Sequence, residues 1–183
     1  MNRCERCESS DLYRAYHDDE RVPVHDDNTL FEFLILEAQA LSWITILQKR
    51  EGYRKACKNF DPIACSKLSD AYLELRTNAS IVRNKLKITS IRKNALVFLQ
   101  IQEEFGSFDA YLRWVDNKPI VNNWKRLDQV PATTELSDTI SKDLKKRGMN
   151  FVSTIMYAYL QAVGVVDDHV NSCWKRKDHS CSS

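Results

Sequence analysis

The sequence predicts an all-α fold. No stretch alternates apolar and polar residues over the length of a strand, so the strand signal is missing. Helix starts and stops recur instead, with Thr, Ser or Asp ahead of apolar runs and glycine behind them. Glycine is otherwise scarce, at 4 residues in 183, so little of the backbone can turn at positive φ without cost.

The elements follow in order. Residues 4–25 carry Cys4, Cys7, His17 and His25 among acids and short polar residues, an irregular segment with a turn of helix that Pro23 interrupts. Thr29 with Glu32 fits a capping box that opens the run Leu30-Phe31-Glu32-Phe33-Leu34-Ile35. That run is apolar on nearly every side, as in a core helix. It falters near Leu41-Ser42, and a second helix follows with Trp43, Leu47, Tyr53 and Cys57 on roughly one face. Asp61-Pro62 starts the next helix, the Asp as cap and the Pro in the first turn. A short helix over 70–76 breaks at Thr77-Asn78-Ala79-Ser80. Residues 81–105 make a long amphipathic helix that Gly106 closes. Ser107 caps the segment 108–115, and 116–133 is the longest irregular stretch. Ser137 opens a helix ending at Arg147-Gly148, whose basic last turn suits the helix dipole. Residues 151–163 are apolar all round and stop at Gly164, and 165–174 closes the fold ahead of a polar tail, 175–183. With no internal repeat, residues 1–183 read as one domain.

Composition excludes several classes. Lys and Arg number 27 against 25 acids, a net charge of +2, so any nucleic-acid contact must come from a local patch. No apolar run is long enough to cross a bilayer, and Met1-Asn2-Arg3-Cys4 lacks the apolar core of a secretory signal. The expected protein is cytoplasmic, monomeric and without a membrane partner. Six cysteines in a reducing compartment point to metal ligands or buried thiols.

Three constellations could carry chemistry. His169-x-x-x-Cys173 puts two ligands one helical turn apart. Joined to Cys4 and His17 they would make a Cys2His2 site closing one terminus onto the other; Cys4, Cys7, His169 and Cys173 form a rival set. Second, a short helix, a turn at residues 78–82 and a helix opening Arg83-Asn84-Lys85 resemble a helix-hairpin-helix, whose hairpin amides meet a phosphate. Third, Glu37 sits at the inner end of the apolar run, with Trp43 just beyond and Tyr16 beside His17. A carboxylate there either faces solvent at a boundary or serves a pocket with an aromatic wall. An everted base needs such a wall and a few polar groups to read its edge.

A resemblance chooses among these. Arg3-Cys4, Ala15-Tyr16-His17-Asp18-Asp19-Glu20, Leu36-Glu37, Leu41-Ser42-Trp43-Ile44-Thr45, Asn59-Phe60-Asp61-Pro62, Ile81-Val82-Arg83-Asn84-Lys85, Leu144-Lys145-Lys146-Arg147-Gly148 and Asp168-His169 come in the order seen in the DNA-3-methyladenine glycosylase I (Tag) family. The chain resembles that family over about residues 3–174. The resemblance implies a helix-hairpin-helix glycosylase fold with zinc-closed N- and C-termini. It places one structural zinc on Cys4, His17, His169 and Cys173. It puts base recognition and catalysis on Glu37 and Tyr16, base stacking on Trp43, and DNA-backbone contacts on the hairpin, at Ser80, Val82, Arg83 and Lys85. The implied activity is monofunctional hydrolysis of the N-glycosidic bond of 3-methyladenine in alkylated double-stranded DNA, the first step of base excision repair. A catalytically weak or inactive relative that binds damage without base release is the alternative.

The sequence also departs from that family. Family tryptophans are replaced at Arg6 and Arg21, the hairpin glycine is Ser80, and the stretch between Glu37 and Trp43 is two residues shorter, without its glycines. Two residues of continuous helix would turn the facing by about 200°. Glu37 and Trp43 can therefore share a pocket only if a loop or kink lies between them.

Overall fold

The computed structural model describes residues 2–68, 72–113 and 119–176. Among these, helices dominate: α1 (Asp11–Asp19), α2 (Asp27–Glu37), α3 (Trp43–Ala56), α4 (Pro62–Ser66), α5 (Tyr72–Thr77), α6 (Lys85–Phe105), α7 (Phe108–Leu112), α8 (Glu135–Arg147) and α9 (Ser153–Ala162). Two short strands, β1 (Ile120–Val121) and β2 (Val166–Asp167), pair in parallel, Ile120 opposite Val166. At two residues each they are too short to show alternation, so the all-α expectation holds apart from this pair.

Helix α2 is the axis of the core. Leu30, Phe31, Phe33, Leu34, Ile35 and Leu36 are all buried, and the helix packs against α3, α6, α7 and α9. Each such side chain contributes about 1.5–3 kcal/mol by leaving water. Phe31 meets Phe98 edge-on at 4.9 Å, and Phe98 stacks on Phe108 at 4.3 Å.

The helix starts differ from expectation in instructive ways. α2 is capped by Asp26, whose carboxylate accepts the Thr29 N–H at 2.8 Å and the Thr29 hydroxyl at 2.6 Å. Thr29 is therefore inside the helix, and Glu32 is free of any capping duty. Glu32 turns inward and is buried, accepting from Arg50 Nε at 2.6 Å and Arg54 Nη2 at 2.8 Å. Arg50 also donates to Glu20 at 2.6 Å, tying the end of α1 to α2 and α3. α6 starts at Lys85 rather than at 81, because the Asn84 side chain accepts from the Leu86 and Lys87 amides. α8 is capped by Thr134, with Ser137 accepting the Thr134 N–H in return. Of the helix expected over 70–76, residues 70 and 71 lie outside the described residues, as do 114 and 115 of the segment after Ser107 and most of the polar tail.

Two glycines set close approaches. A Cβ on Gly164, at φ +72, would lie 2.6 Å from Pro23 Cα, so the turn after α9 seats directly on the N-terminal segment. A Cβ on Gly52 would lie 2.3 Å from the Ser80 carbonyl oxygen, so the turn ahead of α6 rests on the bare backbone of α3.

Candidate functional site

Tyr16 on α1, Glu37 at the end of α2 and Trp43 at the start of α3 line one cavity of about 820 Å³. Residues 38–42 make this possible. They form a turn with Ala40 at φ 49, which breaks the helical register and removes the facing conflict set by the short stretch. Gln39, buried in that turn, donates from Nε2 to the Ile35 carbonyl at 2.8 Å and accepts the Tyr53 hydroxyl at 2.8 Å.

The aromatic wall is continuous. The Tyr16 and Trp43 rings lie 5.2 Å apart, and Trp43 stacks on Phe33 at 6.0 Å with 15° between planes. Three polar groups on these residues lack protein partners among the described residues: the Glu37 carboxylate, the Tyr16 hydroxyl and the buried Trp43 indole N–H. A buried donor left unpaired costs about 1–3 kcal/mol, which a bound ligand or water can recover. Burial alone pushes the Glu37 carboxyl up to about 8 and raises the Tyr16 hydroxyl well above its ordinary value. Glu37 thus has no cation beside it, and a cationic ligand would favour its charged form.

A carboxylate of opposite character also lines the cavity. Asp168 is buried and saturated. It accepts from Asn122 at 2.7 Å, Trp124 at 2.6 Å, Tyr157 at 2.5 Å and Gln161 at 2.6 Å. These donors come from the irregular stretch and from α9, so Asp168 braces the segment that carries His169.

Next to the cavity, Cys4, His17, His169 and Cys173 are all buried, with their ligand atoms within 4.8 Å of one another. Cys4 Sγ lies 3.4 Å from His169 Nδ1, and Cys173 Sγ lies 3.4 Å from His17 Nε2 and 3.5 Å from His169 Nδ1. The rival ligand Cys7 is turned away and donates its thiol to the Cys4 carbonyl at 2.9 Å. His17 is oriented from behind by Asp18, 2.8 Å from its Nδ1, and Arg3 holds Asp18 through Nε at 2.9 Å and Nη2 at 2.7 Å. Burial pushes the Cys4 thiol up to about 12 and the His169 imidazole down to about 3. Without a cation the uncharged forms prevail; a bound dication would reverse this for the thiols. The cluster can hold a metal ion.

The turn between α5 and α6 is held from inside. Ser80 N–H is accepted by Asn78 Oδ1 at 2.9 Å and Val82 N–H by the Tyr53 hydroxyl at 3.1 Å. Lys49 donates to the Ala79 carbonyl at 3.1 Å. The amides expected at Ser80 and Val82 to face a phosphate therefore already have acceptors in the chain, whereas Arg83 and the first residue of α6, Lys85, are exposed and make no ion pair among the described residues.

Sequence reasoning missed Glu32, Gln39, Tyr53 and the bracing role of Asp168. Glu32 carried a signal, an acid inside an apolar run. The other three depend on contacts between distant segments.

Fold and cavity together define a mainly helical protein that sets an aromatic wall beside an acid in one cavity. Residues 6–176 match the family model for methyladenine glycosylase. The chain is 42% identical over 179 residues to DNA-3-methyladenine glycosylase 1 of Escherichia coli (strain K12), covering 94% of this chain and 96% of that one. A crystal structure of 3-methyladenine DNA glycosylase I (TAG) superposes with a TM-score of 0.91 at 40% identity, over 96% of this chain and 100% of the other. The TAG of Staphylococcus aureus, solved for the structural basis of 3-methyladenine recognition, gives 0.91 at 30% identity over 98% of both chains. The chain belongs to the methyladenine glycosylase family.

Proposed function

We propose that this protein is a monofunctional DNA glycosylase that removes 3-methyladenine from alkylated DNA in base excision repair. The observation that carries the reading is the unpartnered Glu37 carboxylate set against the Tyr16–Trp43 aromatic wall in one cavity with room for an everted base. Family membership supplies the substrate.

Methylation at N3 makes adenine cationic, so the base is already a good leaving group. Everting it costs a few kcal/mol, least for a damaged base. In the cavity the ring lies against Trp43, whose electron-rich face favours a cation. The Tyr16 hydroxyl and the Glu37 carboxylate take the edge of the base. Its positive charge lowers the cost of ionising Glu37. The bond between C1′ and N9 breaks with its electron pair passing to the base, which leaves neutral. Water adds to C1′ and loses a proton. Unmethylated adenine brings no charge to offset the desolvation of Glu37, and so is disfavoured.

The Cys4, His17, His169 and Cys173 cluster fits zinc. Zinc–sulfur bonds of about 2.3 Å and zinc–nitrogen bonds of about 2.0–2.1 Å at tetrahedral angles put sulfur and nitrogen about 3.5 Å apart. The observed separations are 3.4 to 3.5 Å. Zinc there would supply no step of the reaction, only closure of the first residues onto the last. Asp18 would set the His17 tautomer.

We read α5, the following turn and α6 as a helix-hairpin-helix, and residues 1–183 as a single domain acting as a cytoplasmic monomer. Because the Ser80 and Val82 amides are engaged, phosphate contact here falls to Arg83 and Lys85. Chromatography of bases released from DNA treated with a methylating agent tests the reading. Free 3-methyladenine is the expected product; tight binding of damaged DNA with no base released would favour the inactive-relative alternative.

A further inference from the structure

The cavity carries two cations that the base site does not use. Arg6 and Arg21 both line it, together with Tyr13, Tyr16 and Glu37. Several other arginines are engaged: Arg3, Arg50, Arg54, Arg113 and Arg147 all sit in ion pairs, whereas the exposed Arg83 does not. Arg6 and Arg21 have no ion-pair partner among the described residues. Nor do they neutralise Glu37, whose shift comes from burial alone. Glu8, which lines the same cavity, is taken by Arg3 and Arg14.

Tyr13 lines the cavity with Arg6 and Arg21. A third cation adjoins them. Lys175 Nζ donates to the Arg21 carbonyl at 3.5 Å. Glu5, Glu8, Glu37 and Asp168 line the same cavity, but neither Arg6 nor Arg21 is held in an ion pair among the described residues, so both guanidiniums are free to meet an anion.

We propose that Arg6 and Arg21 form a phosphodiester grip at the rim of the cavity, holding the backbone of the strand whose base enters it. A base that leaves the stack brings its own flanking phosphates to the cavity mouth. The planar fork of a guanidinium matches two phosphate oxygens, so this pair suits the phosphodiester better than the ring. The inference rests on the glycosylase reading for the identity of the ligand.

The test compares wild type, Arg6→Gln/Arg21→Gln and Arg6→Lys/Arg21→Lys, each checked by thermal melting. Binding to a duplex carrying an abasic-site analogue is measured as a function of salt, and binding of free 3-methyladenine in parallel. Each lost phosphate contact reduces the salt slope by about 0.9. The Gln pair should therefore lose about 1.8 from the slope and bind the duplex at least tenfold more weakly at low salt. The Lys pair should restore most of the slope but only part of the affinity, since it keeps charge without the fork. Free base, which carries no phosphate, should bind the wild type and the Gln pair alike. An unchanged slope in the Gln pair would overturn the grip, as would an equal loss of free-base affinity. If wild type releases no base but the slope still falls, the glycosylase reading fails and the grip stands. If it releases base and the slope is unchanged, only the grip fails.

Discussion

Glu37 closes α2 and Trp43 opens α3, and the turn over residues 38–42 sets both against one cavity. That relationship makes Glu37 costly to the fold. Burial holds its carboxyl at about 8, against an ordinary value of 4.5. The folded state therefore keeps the proton that the unfolded chain gives up. The favourable contribution is complete below about pH 4.5 and is lost as pH rises through about 8. Glu37→Gln should melt like wild type at pH 4.5. At pH 9 it should be more stable by on the order of 2 kcal/mol, after screening by water in the open cavity. Thermal melts at the two pH values check this; equal melting at pH 9 would contradict it.

Glu32 carries the reverse expectation. It is buried, and its carboxylate is shared by Arg50 and Arg54. Glu32→Ala removes their shared buried acceptor, although Arg50 keeps Glu20 and Arg54 keeps Glu51. Breaking a fully buried pair costs about 3–5 kcal/mol. With those partners retained and Arg54 a third exposed, about 1–2 kcal/mol is expected from urea unfolding.

How much could be read beforehand divides along the same line. Local signals were legible. Gly106 and Gly148 do end helices in the left-handed region, at φ 85 and 100, and Asp61 with Pro62 does open one. The Cys and His residues of the cluster were found from their spacing and from the family pattern. Other features turn on partners far along the chain. Asp26 and Thr29 are both plausible caps in sequence, and only the observed hydrogen bonds choose Asp26. Asp168 draws its donors from Asn122 through Gln161, which no local window holds together. The turn that reconciles Glu37 with Trp43 uses an alanine at positive φ, where sequence rules look for glycine.

The metal cluster should behave as a clasp. Chelation under conditions that leave the protein otherwise intact should lower the melting temperature by roughly 6–12 °C, the equivalent of about 3 kcal/mol in a chain of this size. Asp18→Asn, which weakens the carboxylate behind His17, should reduce metal affinity about 10–100-fold in a competition with a chromogenic chelator. Unchanged affinity would mean that Asp18 serves Arg3 alone.

Gly52 tests how the turn before α6 is seated. A methyl group there meets the Ser80 carbonyl, which belongs to the backbone and cannot swing aside. Gly52→Ala should cost about 1–3 kcal/mol and weaken duplex binding, since the displaced turn carries Arg83 and Lys85 with it. Full stability would show that the turn relaxes without strain.

The role of Glu37 is tested most directly by single-turnover release of 3-methyladenine from methylated duplex DNA by wild type and by Glu37→Gln, both folded and metal-loaded. Wild type should release the base promptly and the variant at a rate at least about 100-fold lower, a loss of roughly 3 kcal/mol of transition-state stabilisation. Equal rates would remove Glu37 from the chemistry and contradict a base site built on Glu37, Tyr16 and Trp43.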